Sequence, residues 1–202
     1  MKERILLAAQ ELFFKYGIRS ISMDDIAKHL SISKKTIYQF FKNKDEVVQM
    51  LMVTELNKNR CDFNTVVETS ENVIVEFFGM MKHVSALFSK INPILFYDIQ
   101  KFHSETWKLF KEFKENCILK LVEESLVKGM KQGFIRADIN PKILARMRIE
   151  QVDLGFNPNV FPPDKFKIVD VQIALLDHFL YGVCTLKGHK LINKHKQIIE
   201  EE

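Results

Sequence analysis

Residues 22–46 read SMDDIAKHLSISKKTIYQFFKNKDE, and this stretch decides the fold of the N-terminal part of the chain. Ser22 followed by Asp25 resembles a capping box, so a short helix is expected to begin there and to end near Ser31. Ser33 is a suitable N-cap for the next helix. Two short helices joined by a turn of about three residues form a helix-turn-helix.

Two flanking helices complete this N-terminal unit. Residues 5–16 carry one apolar stripe at helical spacing, and Gly17 follows their last turn, where a glycine commonly ends a helix. Asn43 is expected to cap a fourth helix, with Glu46 at its third position. We therefore predict a helix-turn-helix domain over residues 1–46.

The third helix, expected over residues 34–41, separates apolar from polar side chains. Ile37, Phe40 and Phe41 are available to the core, and the other face carries lysine, threonine, tyrosine and glutamine. These types contact DNA phosphates and base edges, and a helix of about 10–12 Å diameter fits a major groove of about 12 Å. The alternative is a compact helical hairpin with a polar outside.

Charge is distributed unevenly along the chain. The formal net charge is +4, and all of this excess lies in residues 1–60, while residues 61–202 balance to zero. Residues 26–44 contain five lysines and no acidic residue. Such asymmetry favours a polyanion partner for the N-terminal segment, although a solvated lysine face would give the same pattern.

Residues 2–52 resemble the DNA-binding domain of the TetR family of bacterial transcriptional regulators. The matching strings are ILLAAQELFFKYG from residue 5, SMDDIA from residue 22 and ISKKTIYQFFKNKDE from residue 32. The chain departs from the family at Ser31, where a turn glycine is usual, and at Lys35, where a small residue is frequent. Serine can adopt the turn conformation at some cost, so we expect the turn to be kept.

The resemblance also implies which side chains contact DNA. Base edges or adjacent phosphates are assigned to Lys35, Thr36 and Gln39. The DNA backbone is assigned to Ser22, Ser33, Lys34, Tyr38 and Lys44, the last at a helix N-terminus that suits a phosphate.

The remaining sequence predicts an all-α protein, with a larger helical ligand-binding and dimerisation domain over residues 47–202. Helices are expected over residues 72–87, from Pro93 onward, over 105–130, over 142–154 and over 166–186, followed by a charged tail that ends in Glu200-Glu201-Glu202. The segments 133–141 and 182–188 resemble the C-terminal halves of TetR-family proteins, though more weakly than residues 2–52 resemble the N-terminal domain.

That resemblance implies a homodimer built by the final two long helices. Independently, the helix over 166–186 is too apolar to have one face in solvent. The residues predicted at the dimer interface are Met147, Gln151, Leu154, Gln172, Leu175, Leu176, Phe179 and Val183. Two helix-turn-helix domains about 34 Å apart, one from each subunit, would reach successive major grooves of palindromic double-stranded DNA.

The same resemblance implies a ligand cavity in the second domain. Apolar and aromatic side chains could line it, with a histidine as polar anchor, and they favour an apolar or aromatic effector. The candidate residues are Phe63, Phe77, Met81, Phe88, His103, Trp107 and Phe110. Each of them could instead simply pack the core.

Several classes of protein are disfavoured by the sequence. Three widely spaced cysteines form no zinc or disulfide pattern, so we expect no metal and no cofactor. Phosphate-binding glycine loops and nucleophile motifs are missing from the sequence, which predicts a protein that is not an enzyme. The charged N-terminus lacks a signal-peptide pattern and no apolar run suits a membrane span, so we expect a cytoplasmic protein, nucleoid-associated when bound to DNA.

These observations favour a transcriptional repressor that an apolar small molecule releases from a palindromic operator. The alternative is a DNA-anchoring or division-control protein of the same fold that has no effector. The sequence leaves open the operator, the effector, the regulated genes and the sign of regulation.

Overall fold

The computed structural model describes residues 1–92 and 94–197. Pro93, predicted in a helix first turn, and the predicted tail Glu200–Glu202 lie outside the described residues. Every regular element within the described ranges is helical, which confirms the all-α prediction. The helices in chain order are α1 Lys2–Tyr16, α2 Met23–His29, α3 Lys34–Tyr38, α4 Lys44–Thr69, α5 Val73–Phe88, α6 Ile94–Phe102, α7 Ser104–Phe113, α8 Leu119–Gln132, α9 Pro141–Gly155, α10 Ile168–Val183 and α11 Leu186–Lys196.

The chain forms two compact units. Unit 1 contains Met1–Arg60 and Leu87–Phe113, and unit 2 contains Cys61–Ala86 and the described chain from Lys114 onward. Unit 1 thus extends past α3 into α4 and also includes α6 and α7. The physical reason is that Leu95 and Ile99 of α6 are buried in the core formed by α1–α4.

The helix-turn-helix forms as its sequence predicts. Ser31 has φ 54°, the left-handed conformation that glycine adopts more cheaply, and Ile32 N–H still donates to Ala27 O at 3.0 Å. Gly17 ends α1 with φ 80°, and an added Cβ there would lie 2.7 Å from Ile94. The predicted turn is thus retained without its usual glycine.

The helix predicted over 105–130 is interrupted. Residues Lys114–Ile118 form a short π-helical segment between α7 and α8. Lys114 lies in this segment, and its ammonium pairs with the Asp153 carboxylate of α9. Gly133 then ends α8 in the left-handed conformation at φ 75°.

The last predicted helix, over 166–186, ends earlier at Val183, and a further helix, α11, begins at Leu186 where a charged tail was predicted. Between them, Cys184 is extended and bridges Ile135, and Arg136 N–H donates to Val183 O at 2.9 Å. Thr185 caps α11, within a stretch predicted to contain a helix end and a polar tail. Pairing with residues 134–136 is the tertiary interaction that ends α10.

None of the described helices has the length and apolarity required to cross a bilayer.

A candidate nucleic-acid interface

Ser22 anchors the start of α2. Its hydroxyl accepts from Asp25 N–H at 3.2 Å, and the Ser22 N–H donates to the Asp25 carboxylate at 2.8 Å, which completes the predicted capping box. The hydrogen bond from the Ser22 hydroxyl, followed by that from its N–H, holds the Asp25 pKa below its usual value. Both polar groups of Ser22 are therefore engaged in holding α2.

The cap is expected to dominate the effect of changing Ser22. Ser22→Ala should lower the free energy of unfolding by about 1 kcal/mol, because an N-cap hydrogen bond is lost. Ser22→Asn should keep most of the stability, since asparagine caps as well as serine. Denaturant unfolding of the two variants checks this, and equal stability of Ser22→Ala and the parent protein would contradict it.

Ser33 positions α3 in a similar way. Its hydroxyl accepts from Thr36 N–H at 3.0 Å and lies 2.8 Å from the Thr36 hydroxyl. Ile37 is fully buried in the unit 1 core, so the remaining helical positions are directed outward. Lys35, Tyr38 and Gln39 are exposed, whereas Thr36 is half-buried.

Lys34 bridges the two helices of the motif. Its ammonium lies 2.7 Å from Asp24 in the first turn of α2, and this hydrogen bond raises the Lys34 pKa. Both side chains remain about half exposed, so the pair costs little to open. A phosphate approaching Lys34 would therefore compete with Asp24 for the ammonium.

Lys44 lies differently from the other predicted contacts. Its ammonium lies 5.8 Å from the centre of the Phe13 ring, and burial lowers its pKa. The first turn of α4 is already capped, with Glu46 N–H donating to Asn43 Oδ1 at 2.9 Å. A phosphate role for Lys44 therefore stays a prediction, since the side chain also packs on the core.

One aromatic residue of this surface lies differently from its prediction. Phe40 was expected to be available to the core, but it is 37% exposed, while Phe41 is 1% exposed and takes the core position. The cause is helical spacing, because Phe41 lies four residues after the buried Ile37 and its N–H donates to Ile37 O at 3.1 Å. Phe40 thus adds apolar surface beside Gln39, and the exposed Lys42 adds charge.

The predicted ligand residues fall into both units. Phe63, Phe77 and Met81 are buried in unit 2, where the Phe77 ring packs edge-on to Phe179 at 6.1 Å. Phe88, His103, Trp107 and Phe110 belong to unit 1.

Four half-buried rings in unit 1 form an aromatic cluster. Phe88 lies 5.7 Å from Phe96, Phe96 lies 5.8 Å from Phe110, and Trp107 stacks on Phe110 at 5.2 Å. His103 is not an open polar anchor, since its Nδ1 lies 2.7 Å from the Asp45 carboxylate of α4.

The predicted dimer residues require a correction. Gln172, Leu176, Phe179 and Val183 are each at most 3% exposed in a single chain, so their side chains belong to its own core. Met147 and Leu154 are both 41% exposed, as expected for an interface, and Gln151 and Leu175 are half-buried. Ile143 and Ile173, which were not among the predicted residues, are 63% and 41% exposed.

No cluster of three or more metal-binding side chains occurs among residues 1–92 and 94–197.

The fold and the surface of α3 define a helix-turn-helix protein whose exposed side chains are of the types that contact DNA.

Known proteins resemble both the N-terminal segment and the whole length of this chain. Residues 5–51 match the family model for bacterial regulatory proteins, tetR family. The uncharacterized HTH-type transcriptional regulator YvaF of Bacillus subtilis is 25% identical over 187 residues, which cover 91% of this chain and 95% of YvaF. The fatty acid metabolism regulator protein of the same organism is 22% identical over 189 residues, which cover 89% and 94%.

Solved structures show the same fold. The repressor SmeT of the Stenotrophomonas maltophilia multidrug efflux pump SmeDEF aligns with a TM-score of 0.70 and 20% identity, covering 92% of this chain and 91% of SmeT. Thermus thermophilus FadR in complex with lauroyl-CoA aligns with a TM-score of 0.61 and 18% identity, covering 90% and 94%. Residues 5–51 therefore carry the DNA-binding domain of the TetR family, and relatives that span most of this chain are named as regulators.

Proposed function

We propose that this regulator is a repressor that binds a palindromic operator as a homodimer and is released by an apolar small molecule. The observation that carries the proposal is the composition of unit 1. The reading head, α1–α3, and the aromatic cluster of α5, α6 and α7 belong to one compact unit. A ligand that displaces those rings therefore acts on the element packed against the reading head.

Three direct links join α6 and its flanking residues to the DNA-binding part. Asp98 accepts from the backbone N–H of Arg19, which follows α1, at 3.1 Å. Asn92 N–H donates to Phe14 O of α1 at 2.7 Å. The His103–Asp45 pair links the end of α6 to the first turn of α4. Movement of α6 would therefore shift backbone positions that set the angle of the reading head.

Dimerisation is supported by an apolar stripe on the outside of unit 2. Ile143, Met147 and Leu154 recur at helical spacing along α9, and Ile173 is exposed on α10. Exposed apolar side chains in such a row are typical of a protein interface. A second copy of the chain is the proposed partner, because a palindrome matches a two-fold dimer.

The effector class is supported by the rings of the aromatic cluster and by the names of related proteins. A fatty acid metabolism regulator and a structure holding lauroyl-CoA are among the proteins that this chain resembles. The cluster offers four aromatic rings with His103 already paired, which favours an apolar ligand over a sugar phosphate.

Trp107 provides the test, because it is the sole tryptophan of the chain. Apolar compounds are titrated while Trp107 emission and release of operator DNA are recorded together. The proposal predicts that a compound changing the emission also releases DNA. Compounds that bind and stabilise the protein without releasing DNA would contradict it and favour the DNA-anchoring function.

The His103–Asp45 pair is expected to transmit the effector signal. His103→Gln should leave DNA affinity close to that of the parent protein but raise the effector concentration for half-release by about 5-fold or more, because coupling energies are typically about 1–3 kcal/mol. Asp45→Asn should behave in the same way. His189→Gln, at a histidine of α11 in unit 2, is the matched control, and an identical shift in that variant would contradict the assignment.

A further inference from the structure

Arg148 is a buried arginine in the middle of α9. Arg148 is only 7% exposed, and the neighbouring Ala145 and Ile149 are 0% and 3% exposed. The guanidinium carbon lies 5.9 Å from the centre of the Phe179 ring of α10. The surroundings of this cation within unit 2 are therefore mainly apolar.

Arg148 has no counter-ion among residues 1–92 and 94–197. Its Nη1 is buried and makes no hydrogen bond there. Asp153, on the same helix, pairs with Lys114. Glu115, on the π-helical segment, pairs with Arg146. Burial alone lowers the pKa of Arg148 to about 10, which is still far above neutral, so the group stays charged.

An unpaired acceptor lies one helical turn away. Gln151 Oε1 is buried without a hydrogen-bond partner in the described chain, and positions three apart on a helix face the same side. By contrast, the amide of the nearby buried Gln172 is satisfied, since its Nε2 donates to Val152 O at 2.9 Å. In unit 2 the buried side-chain atoms without a described partner are Arg148 Nη1, Gln151 Oε1 and Asp177 Oδ1, and the Asp177 carboxylate already pairs with Lys196 through Oδ2.

A neutral amide cannot balance a buried positive charge. Gln151 could accept one Arg148 N–H, but the charge would still lie in apolar surroundings, where an uncompensated ion is costly. An anion that brings apolar surface with it relieves this cost. A carboxylate suits the planar guanidinium, because it can accept two parallel hydrogen bonds.

We propose that Arg148, assisted by Gln151, binds the carboxylate of an apolar acid in unit 2. Phe179 and the apolar residues beside Arg148 would contact the hydrocarbon part of the same ligand. This inference goes beyond the proposed function, because it adds a carboxylate-binding site in unit 2 to the aromatic cluster of unit 1.

The test uses the full chain and two probes that differ only in the head group. Dodecanoate below its micelle concentration and 1-dodecanol are titrated by calorimetry into the parent protein, Arg148→Met, Arg148→Lys and Arg146→Met. Arg146 is the matched control, because it lies on the same helix but is exposed and paired with Glu115. Thermal unfolding of each unliganded variant shows whether it folds.

Dodecanoate is expected to bind the parent protein about 10- to 100-fold more tightly than dodecanol, as charge-assisted hydrogen bonds allow. Arg148→Met should lose this preference, Arg148→Lys should keep part of it, and Arg146→Met should keep all of it. Unliganded Arg148→Met should melt at or above the temperature of the parent, because an unpaired buried charge is removed.

Three results would overturn the site. These are equal affinity of the parent protein for both probes, no binding of dodecanoate, and unchanged dodecanoate affinity in Arg148→Met. Dissociation of the dimer in Arg148→Met with probe binding intact would likewise assign Arg148 to the subunit interface.

DNA release, measured on the same samples, separates this site from the proposed function. Dodecanoate that binds through Arg148 and leaves DNA bound would support the site and restrict DNA release to ligands of the aromatic cluster. Release by dodecanoate that is equal in the parent protein and Arg148→Met would support the proposed function and overturn Arg148 as the carboxylate contact.

Discussion

Met147→Glu is expected to lower the affinity for a two-half-site operator by about 100-fold or more. Met147 lies in the middle of the exposed stripe of α9, so a carboxylate there would be buried unpaired against a second copy. Monomers would bind one half-site each and lose the gain from joint binding, which is typically about 10²–10⁴-fold. Analytical ultracentrifugation and gel-shift titration measure the two effects.

Leu186→Glu is the matched control for this change. Leu186 is 80% exposed at the start of α11, so a charge there should alter neither the association state nor the DNA affinity. A Met147→Glu variant that remains dimeric, or that becomes monomeric with unchanged operator affinity, would contradict the proposed dimer face.

Substitutions in and just after α3 are expected to separate the preference for a DNA sequence from the general affinity for DNA. Lys35→Ala and Gln39→Ala should alter the preferred DNA sequence, since a good bidentate base contact discriminates by about 1–3 kcal/mol. Tyr38→Phe should weaken binding to all sequences alike, because it removes a hydroxyl assigned to phosphate. Lys44→Ala should also weaken all binding, although part of that effect would come from lost packing on Phe13.

Salt dependence provides the second readout for these variants. Removing one lysine–phosphate contact should reduce the slope of log affinity against log salt by about 0.9. Lys34→Ala is expected to show this reduction, and Tyr38→Phe should leave the slope unchanged since no charge is lost. Identical behaviour of all variants on specific and random DNA would contradict the division between base and phosphate contacts.

The reading head could be predicted from sequence because local interactions determine it. Ser22, Ser33 and Asn43 are caps whose side-chain bonds lie within three residues. The conformation of Ser31 followed from a turn of fixed length between two helices. Such short-range interactions can be predicted from the local sequence, because they do not depend on residues distant in the chain.

The second half depends on long-range packing, which the sequence records less directly. An apolar α10 has two candidate faces, and periodicity alone did not tell which one covers its own core, so Gln172 and Phe179 were assigned to the interface. The division between α10 and α11 depends on pairing of Ile135 with Cys184, 49 positions apart, and no local signal predicts it. The link between α6 and the reading head depends on equally distant contacts.

Selection of bound DNA from random duplexes by the purified chain, at near-physiological salt, tests the central claim most directly. If the chain binds DNA as a dimer, the selected duplexes should share a palindromic motif whose half-sites are about one helical turn, or a few base pairs more, apart. Recovery of unenriched DNA would contradict it, because binding would then depend on charge alone and the exposed side chains of α3 would read no sequence.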